Sequence, residues 1–212
     1  MTVPGMVGGQ GVKTRSGRPL VLASASSARR MILQRAGIPF ETLPAAIDET
    51  SVKAAMQGVD VEDVALALAD AKARAVAARR PDALVLGADQ ILECEDRWFD
   101  KPKDRAKAEQ HLKALRGRAH RLVSAVVAVR DGERIWRHVE SATLIMRPFG
   151  DAFLAKYLDV SGPEILESVG AYRLEGLGPQ LFAGIEGDYF TILGLPLLPV
   201  LEFLRGQGLV ER

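Results

Sequence analysis

The chain has 212 residues, of which 48% are hydrophobic and 26% are charged, a composition that excludes a disordered or fibrous protein. Its 28 basic and 27 acidic residues give a net charge of +1, which argues against a dedicated duplex-DNA-binding protein but not against a local basic pocket. At about 150 residues per domain, the length predicts one domain with room for two lobes. Because no apolar stretch reaches about 18 residues, we expect no membrane span.

The single cysteine excludes an internal disulfide and a cysteine-based zinc site, and it fits a reducing cytoplasm. Cys94 is a candidate nucleophile, but its neighbours Glu93 and Glu95 would raise the pKa of the thiol. We therefore interpret Cys94 as a small structural residue in a strand or turn rather than as a nucleophile. Residues 1–18 are rich in glycine and carry no apolar segment, so we predict a flexible N-terminal extension rather than a secretory signal.

The first regular elements are a strand at 19–23, a serine-rich turn at 24–27 and a helix that ends at Gly37, which together open an α/β unit. Free backbone N–H groups at a helix start favour anions, and the hydroxyl of Ser24 and the guanidinium of Arg29 add donors for a phosphate. The alternative, in which the serines only cap the helix and the arginine lies in solvent, is equally favoured by this segment alone.

Helical spacing predicts the next long helix between the N-cap Asp60 and Pro81. Lys72 lies beside its apolar stripe, where it either snorkels to solvent or points into a polar cleft, and spacing alone favours snorkelling. The nearly continuous apolar run at 83–92 predicts a strand that is buried on both faces. Asp89 interrupts this strand. Such a carboxylate is costly unless it is paired or lies on a cleft, so we favour a functional role over a turn at the strand end.

The remaining chain predicts a helix capped by Asp104, a hairpin around Asp131 and Gly132, a short helix at 149–158 and a glycine-rich last third that ends in a helix. The three histidines lack the spacing of metal ligands, and we expect His111 and His138 at the surface. Phosphate-loop, dinucleotide-binding and serine-hydrolase motifs are absent from the sequence, which argues against those three enzyme classes.

Eight segments, in this order and spacing, resemble the Maf family of house-cleaning nucleoside triphosphate pyrophosphatases. They are LASASSARR (22–30), IDET (47–50), LADAKA (68–73), LGADQ (86–90), KP (101–102), GAYRLEG (170–176), IEGDY (185–189) and GLP (194–196). The resemblance runs from Leu20 to about Leu204, so we predict that 19–212 form a single bilobal catalytic domain.

The resemblance implies an α/β fold of the Maf and inosine-triphosphatase type, with a mixed twisted sheet, flanking helices and two lobes around a central cleft, often as a homodimer. It implies a hydrolase that cleaves a nucleoside triphosphate between the α and β phosphates, giving a nucleoside monophosphate and pyrophosphate, with Mg²⁺ or Mn²⁺ as cofactor. The expected partner is thus a small-molecule nucleotide in the cytoplasm, with no nucleic acid and no membrane.

The resemblance also implies roles for individual residues. Asp89 matches the catalytic proton acceptor and, with Glu49, the metal-binding carboxylates. The side chains that match positions around the triphosphate are Ser24, Arg29, Lys72 and Lys101.

Base specificity follows from three further positions. Gln90 and Glu175 look like the branch that acts on 7-methyl-GTP, whereas the dTTP/UTP-type members carry Thr and Gln there; an amide and a carboxylate are able to accept hydrogen bonds from guanine donors. Ala28 departs from both branches, which carry Trp or Arg, and Ser27 replaces the usual proline. The alternatives are a dTTP/UTP-type pyrophosphatase and a nucleotide-binding regulator of septum formation with little turnover.

Overall fold

The structure is a computed structural model that describes residues 17–211. The extension predicted at 1–18 therefore lies outside the described residues, apart from its last two. Seven strands are present in this part of the chain: β1 (Leu20–Leu22), β2 (Glu41–Thr42), β3 (Leu84–Cys94), β4 (Arg97–Phe99), β5 (Ala119–Arg130), β6 (Glu133–Met146) and β7 (Phe182–Glu186). The α-helices of the same part are α1 (Ser27–Arg35), α2 (Glu49–Ala55), α3 (Val61–Ala77), α4 (Arg105–Leu115), α5 (Asp151–Ser161), α6 (Tyr189–Ile192) and α7 (Leu197–Gly206).

The strands form one mixed sheet in the order β2-β1-β3-β5-β6-β7, and β4 pairs with the far end of β3. Strand β1 runs parallel to β2 and β3, whereas the remaining pairs are antiparallel. The predicted α/β class with a mixed sheet and flanking helices is confirmed. The strand expected at 38–43 is reduced to the two residues of β2.

Local signals in the sequence account for most of the element boundaries. Ser26, Asp60 and Asp104 each accept a hydrogen bond from a backbone N–H in the first turn of α1, α3 and α4, as N-cap residues do. The β5–β6 hairpin turns at Asp131 and Gly132, both with positive φ, and such a turn matches the twist of the flanking strands. Both caps predicted from aspartates and the predicted hairpin are confirmed.

Strand β3 is the centre of the fold and is buried on both faces, as its composition predicts. Val85 and Ile91 face helix α3, while Leu84 and Leu86 face helices α1 and α7, because successive side chains of a strand alternate between the two faces. A second lobe, formed by α4, α5 and residues 163–181, packs around the other end of β3 and β5. The sheet thus carries helices on both faces at one end and the second lobe at the other end.

Gly87 lets helix α3 approach β3 unusually closely. A Cβ atom at this position would lie 2.2 Å from the carbonyl oxygen of Ala69 and 2.7 Å from the backbone nitrogen of Ala73. Both of those atoms belong to the backbone of α3, so they do not move aside as the end of a flexible side chain does. The missing side chain at Gly87 therefore sets the distance between the helix and the strand.

The structure confirms the prediction for Cys94 and corrects the prediction for His111, while His138 lies at the surface in a partly covered position. Cys94 is buried in β3, where burial and the charge of Glu95 raise the pKa of its thiol, as expected of an unreactive residue. His111 is not at the surface: it lies on the inner face of α4 and packs edge-on against Phe99. His138 is only partly exposed, since its ring stacks on Trp136.

No helix among residues 17–211 is long and apolar enough to cross a membrane.

We predict that Gly87→Ala lowers the free energy of unfolding by about 3 kcal/mol, because the added methyl group forces α3 away from β3. Urea denaturation followed by circular dichroism measures this change. Gly206→Ala is the control, since a Cβ there meets no atom within 4 Å at the end of α7, and we expect a change within about 1 kcal/mol. Equal stability of the Gly87→Ala variant and the wild type would contradict the close-approach argument.

Candidate active site

A cleft of about 880 Å³ opens between the helices on β1 and β3 and the second lobe. It brings together residues that lie far apart in the sequence. Of the predicted site residues, those that line it are Ala28, Arg29, Glu49, Lys72, Asp89, Gln90, Lys101 and Glu175. Ser24 is buried just behind the wall and reaches the cleft through a hydrogen bond with Arg29.

The floor of the cleft holds a lysine between two carboxylates. The Nζ atom of Lys72 lies 2.5 Å from Oδ1 of Asp89 and 2.8 Å from Oε1 of Glu49. The side chains of Lys72 and Asp89 are 11% and 7% exposed, so their charges are largely withdrawn from water and each requires the other as a partner. Glu49, at the start of α2, is partly open to the cleft.

The position of Lys72 corrects the expectation that it snorkels to solvent. Lys72 is 9% exposed as a whole residue and lies on the face of α3 that packs against β3. Because Gly87 brings the helix close and Asp89 is two residues further along the same face of β3, the lysine side chain meets the carboxylate instead of leaving the interface.

Asp89 lies inside β3 rather than in a turn at its end. It pairs with Ala125 of β5, and the strand continues to Cys94. The interpretation of Asp89 as a turn residue is therefore wrong, and a buried carboxylate in a central strand remains. Only its Oδ1 accepts a hydrogen bond from a side chain in the described part of the protein.

Arg29 joins the serine-rich turn to β3 and to the segment after α6. Its Nε donates to the carbonyl oxygen of Gly194, and its Nη1 donates to Ser24 Oγ and to the carbonyl oxygen of Ala88. Burial lowers the pKa of Arg29, and the charges of Asp89 and Glu49 act against that shift. A clamp of two parallel hydrogen bonds on a phosphate would have to exchange some of these contacts. Nη2 donates no hydrogen bond to residues 17–211, so it is the nitrogen left for a ligand.

The electrostatics of the cleft couple its lysines to Glu49. Burial alone would raise the pKa of Glu49, but the hydrogen bond and charge of Lys72, helped by Lys53 and Lys101, hold it below its usual value. Burial, followed by the charges of Arg29 and Lys72, lowers the pKa of Lys101. Lys101 is therefore a cation that is disfavoured by its positive neighbours, and an anionic ligand would relieve that repulsion.

Two carboxylates at the floor offer oxygen donors for a divalent cation. Oε1 of Glu49 and Oδ1 of Asp89 both contact Nζ of Lys72, at 2.8 and 2.5 Å. The two oxygens are therefore close enough to share one small cation. Mg²⁺ is commonly held by one or two carboxylates together with water and the phosphates of a substrate. Glu49 and Asp89 fit that donor set, although residues 17–211 contain no group of three or more side chains of the metal-binding types.

The three specificity positions line the same cleft. The side-chain nitrogen of Gln90 donates to Ser124 Oγ and to the carbonyl oxygens of Thr191 and Ile192, each at 3.0 Å. These acceptors turn the amide so that its oxygen is free of hydrogen bonds from residues 17–211. Glu175 lies 3.4 Å from Arg173 Nη2, and the small Ala28 leaves space beside the serine-rich turn.

Sequence reasoning missed Lys53 and Glu167 among the side chains of the cleft, and it gave Ser27 no partner. Lys53 lies one turn after Glu49 on α2 and contacts Asp100, and Ser27 Oγ donates to Glu167 Oε2 across the cleft at 2.8 Å. The spacing of four residues between Glu49 and Lys53 was a usable signal, because such residues share a helix face. No signal in the sequence pairs Ser27 with Glu167, which is 140 residues away.

A buried pair of rings supports the wall that carries Glu175. His120 Nε2 lies 2.7 Å from the hydroxyl oxygen of Tyr172, and both residues are buried. Burial lowers the pKa of His120 to about 4, so the imidazole is neutral at neutral pH. This neutral contact anchors the 170–176 segment to β5.

Comparison with known proteins gives a consistent set of matches. A family model described as "Maf-like protein" matches residues 19–207. A "Nucleoside triphosphate pyrophosphatase" of Paramagnetospirillum magneticum is 55% identical over 89% of this chain and 98% of its own. A "7-methyl-GTP pyrophosphatase" of Rhizobium etli is 53% identical over 91% of this chain and 98% of its own.

A more distant likeness is to the crystal structure of a "Nucleoside-triphosphatase / dITP/XTP pyrophosphatase" from Mycobacterium abscessus. It has 17% sequence identity and a TM-score of 0.43, over 90% of this chain and 95% of that chain.

We predict that stability falls with acidification because of His120. Its pKa in the folded protein, about 4, is below the ordinary 6.5, so the unfolded chain binds the extra proton first and stability present above pH 6.5 is lost as the pH falls towards 4. His120→Gln, which keeps a neutral partner for Tyr172, should lose about 2 kcal/mol less than the wild type between pH 7 and pH 4.5. Urea unfolding at the two pH values measures this difference, and parallel losses would contradict it.

Proposed function

This chain belongs to the Maf-like protein family, and on that basis we propose that it hydrolyses nucleoside triphosphates between the α and β phosphates, releasing a nucleoside monophosphate and pyrophosphate. The observation that carries the proposal is the buried arrangement of Lys72 between Asp89 and Glu49, on the floor of a cleft that also presents Arg29 and Lys101. Two relatives more than half identical to this chain are named for the same kind of reaction.

Asp89 is suited to receive the proton of the attacking water. Its Oδ1 is held by Lys72, whereas Oδ2 accepts no hydrogen bond from residues 17–211 and remains available for a water molecule. As the water oxygen bonds to phosphorus, its proton passes to Oδ2 and the bridging anhydride oxygen leaves with its electron pair. Burial of the strand around Asp89 keeps the carboxylate in a fixed position for this transfer.

The cations of the cleft bind and orient the polyphosphate. Lys101 and Arg29 line the cleft, and Lys72 is positioned to exchange one of its carboxylate contacts for a phosphate oxygen. The hydroxyl of Ser24 holds Arg29 from behind. Positive charges placed beside the β and γ phosphates stabilise the negative charge that develops on the leaving pyrophosphate.

We infer that the reaction uses Mg²⁺ or Mn²⁺, which Glu49 and Asp89 would hold together with substrate oxygens. Such an ion, when bound, neutralises phosphate charge and assists formation of the nucleophile. The ion and the Lys72 ammonium would share the two carboxylates, so metal and substrate are expected to bind together.

The base-recognition residues favour a guanine nucleotide, with 7-methyl-GTP as the proposed preferred substrate. Gln90 presents an amide oxygen, since its nitrogen is occupied by Ser124, Thr191 and Ile192. Glu175 adds a carboxylate to the same cleft. Two acceptors match the two adjacent donors on the Watson–Crick edge of guanine, whereas uracil and thymine offer a single ring N–H between two carbonyl groups.

We predict that Asp89→Asn lowers turnover by at least about 100-fold, because an amide does not accept the proton of the water. Pyrophosphate release under saturating nucleotide and Mg²⁺ measures the loss, and circular dichroism checks that the fold is retained. A titration of Mg²⁺ and Mn²⁺ in the same variant separates loss of the proton acceptor from loss of a metal ligand. Near-normal turnover by this variant would remove Asp89 from the mechanism.

A panel of triphosphates tests the substrate preference: 7-methyl-GTP, GTP, UTP, dTTP, CTP and modified pyrimidine nucleotides. We expect 7-methyl-GTP and GTP to give the highest kcat/KM, by at least about tenfold over UTP and dTTP, because one missing hydrogen bond to a buried polar group costs about that factor. If UTP and dTTP lead, the assignment of base recognition to Gln90 and Glu175 is wrong. If no nucleotide yields pyrophosphate, the proposed activity itself fails.

A further inference from the structure

Lys53 has a position in the cleft that none of the roles above uses. It lies on α2 one turn after Glu49, and its Nζ is 2.5 Å from Oδ1 of Asp100. The lysine side chain is only 20% exposed, while that of Asp100 is 77% exposed. Both residues line the cleft, and Asp100 directly precedes Lys101.

The deeper cations are already engaged by the protein. Arg29 donates to three oxygen atoms of the protein, and Lys72 lies between two carboxylates. Taken together, the charges of Glu49 and Asp89 cancel most of the positive charge near the floor. A polyphosphate that carries several negative charges therefore gains from a cation in addition to Lys101 and the proposed metal ion, provided that the present partner of that cation is easily displaced.

Asp100 is such a partner. An ion pair in which the carboxylate is mostly exposed contributes little to stability, because water solvates that carboxylate almost as well when the lysine is absent. A phosphate group that enters the cleft competes with Asp100 for the Lys53 ammonium. It binds the ammonium more strongly than Asp100 does, because it carries a higher charge and several strong acceptor oxygens. Lys53 is thus a largely buried cation whose partner, the exposed carboxylate of Asp100, is weakly bound.

Lys53 also lies on the side of the cleft where the polyphosphate is expected. Its charge acts on Glu49, as do the charges of Lys72 and Lys101, so these cations surround one region. Gln90, which points to the opposite face of β3 from Asp89, contacts α6 instead. The base-recognition residue and Lys53 are therefore on different sides of the catalytic carboxylate.

We propose that Lys53 is a further substrate-binding residue that binds the pyrophosphate portion of the triphosphate by exchanging Asp100 for phosphate oxygens. This inference rests on the proposed function, because it assigns Lys53 to the leaving group of that reaction. It makes Asp100 a competitor of the substrate, so that the two members of one ion pair have opposite effects on binding.

The test is calorimetric binding of inorganic pyrophosphate, in Mg²⁺, to the full chain. Lys53→Met should weaken pyrophosphate binding about tenfold, as expected for the loss of one charged hydrogen bond, whereas Asp100→Asn should tighten it about threefold. Lys53→Arg should restore most of the affinity. Binding of GMP should change less than twofold in all three variants, because a monophosphate does not reach Lys53.

The surface pair Lys113–Glu109 on α4 provides the matched control. Its members lie 2.7 Å apart and are both 43% exposed, and neither lines the cleft, so Lys113→Met and Glu109→Gln should leave pyrophosphate binding unchanged. In steady-state assays, Lys53→Met should raise KM for the triphosphate about tenfold with kcat within about twofold.

Two results would overturn the inference. One is a loss of pyrophosphate affinity in both Lys53→Met and Asp100→Asn, which indicates an ion pair that only stabilises α2. The other is a loss of GMP binding equal to that of pyrophosphate. Absence of hydrolysis in the wild type, with the opposite shifts in pyrophosphate binding still observed, would refute the proposed reaction while leaving the pyrophosphate subsite in place.

Discussion

The close contact between helix α3 and strand β3 is the constraint on which the site depends. Gly87 lets the two backbones meet, and the side chain of Lys72 then reaches Asp89 within the interface. A buried carboxylate and a buried ammonium are each costly alone, and their pairing offsets much of that cost. The same pairing occupies Oδ1 of Asp89 and leaves Oδ2 without a hydrogen bond from residues 17–211. Packing of small residues thus determines the geometry of the charged ones.

Near-neutral composition and a strongly polar cleft are compatible because the charges are arranged in pairs. A net charge of +1 leaves no broad basic face, yet Arg29, Lys53, Lys72 and Lys101 all line one cavity. Each of the first three is matched by protein acceptors or carboxylates that differ in burial. The buried partners stay in place and position the cations, whereas exposed Asp100 is readily exchanged. A gradient of exposure therefore separates structural charges from those available to a ligand.

Much of the fold and of the site was predictable from local pattern. Asp60 and Asp104 cap helices, Asp131 and Gly132 form a hairpin turn, and the apolar run around Asp89 forms a central strand. The predictions failed where a side chain's surroundings depend on another element. Helical spacing placed Lys72 beside the apolar stripe but not opposite Asp89. His111 follows Ala108 by three residues on the inner face of α4, and this face is covered by Phe99 of β4 and by the second lobe, which the local sequence does not show.

By itself, the amino-acid sequence determined the long helices and central strands, several caps and turns, and the set of motifs that resembles the Maf family, but not α2, β4 or β7. These features depend on neighbours within a few residues along the chain. Tertiary structure alone decided that Lys72 lies between Glu49 and Asp89, that Arg29 is tied to Gly194, and that Lys53 faces Asp100. Such contacts join residues far apart in sequence, and their distances are set by how closely helices and strands pack.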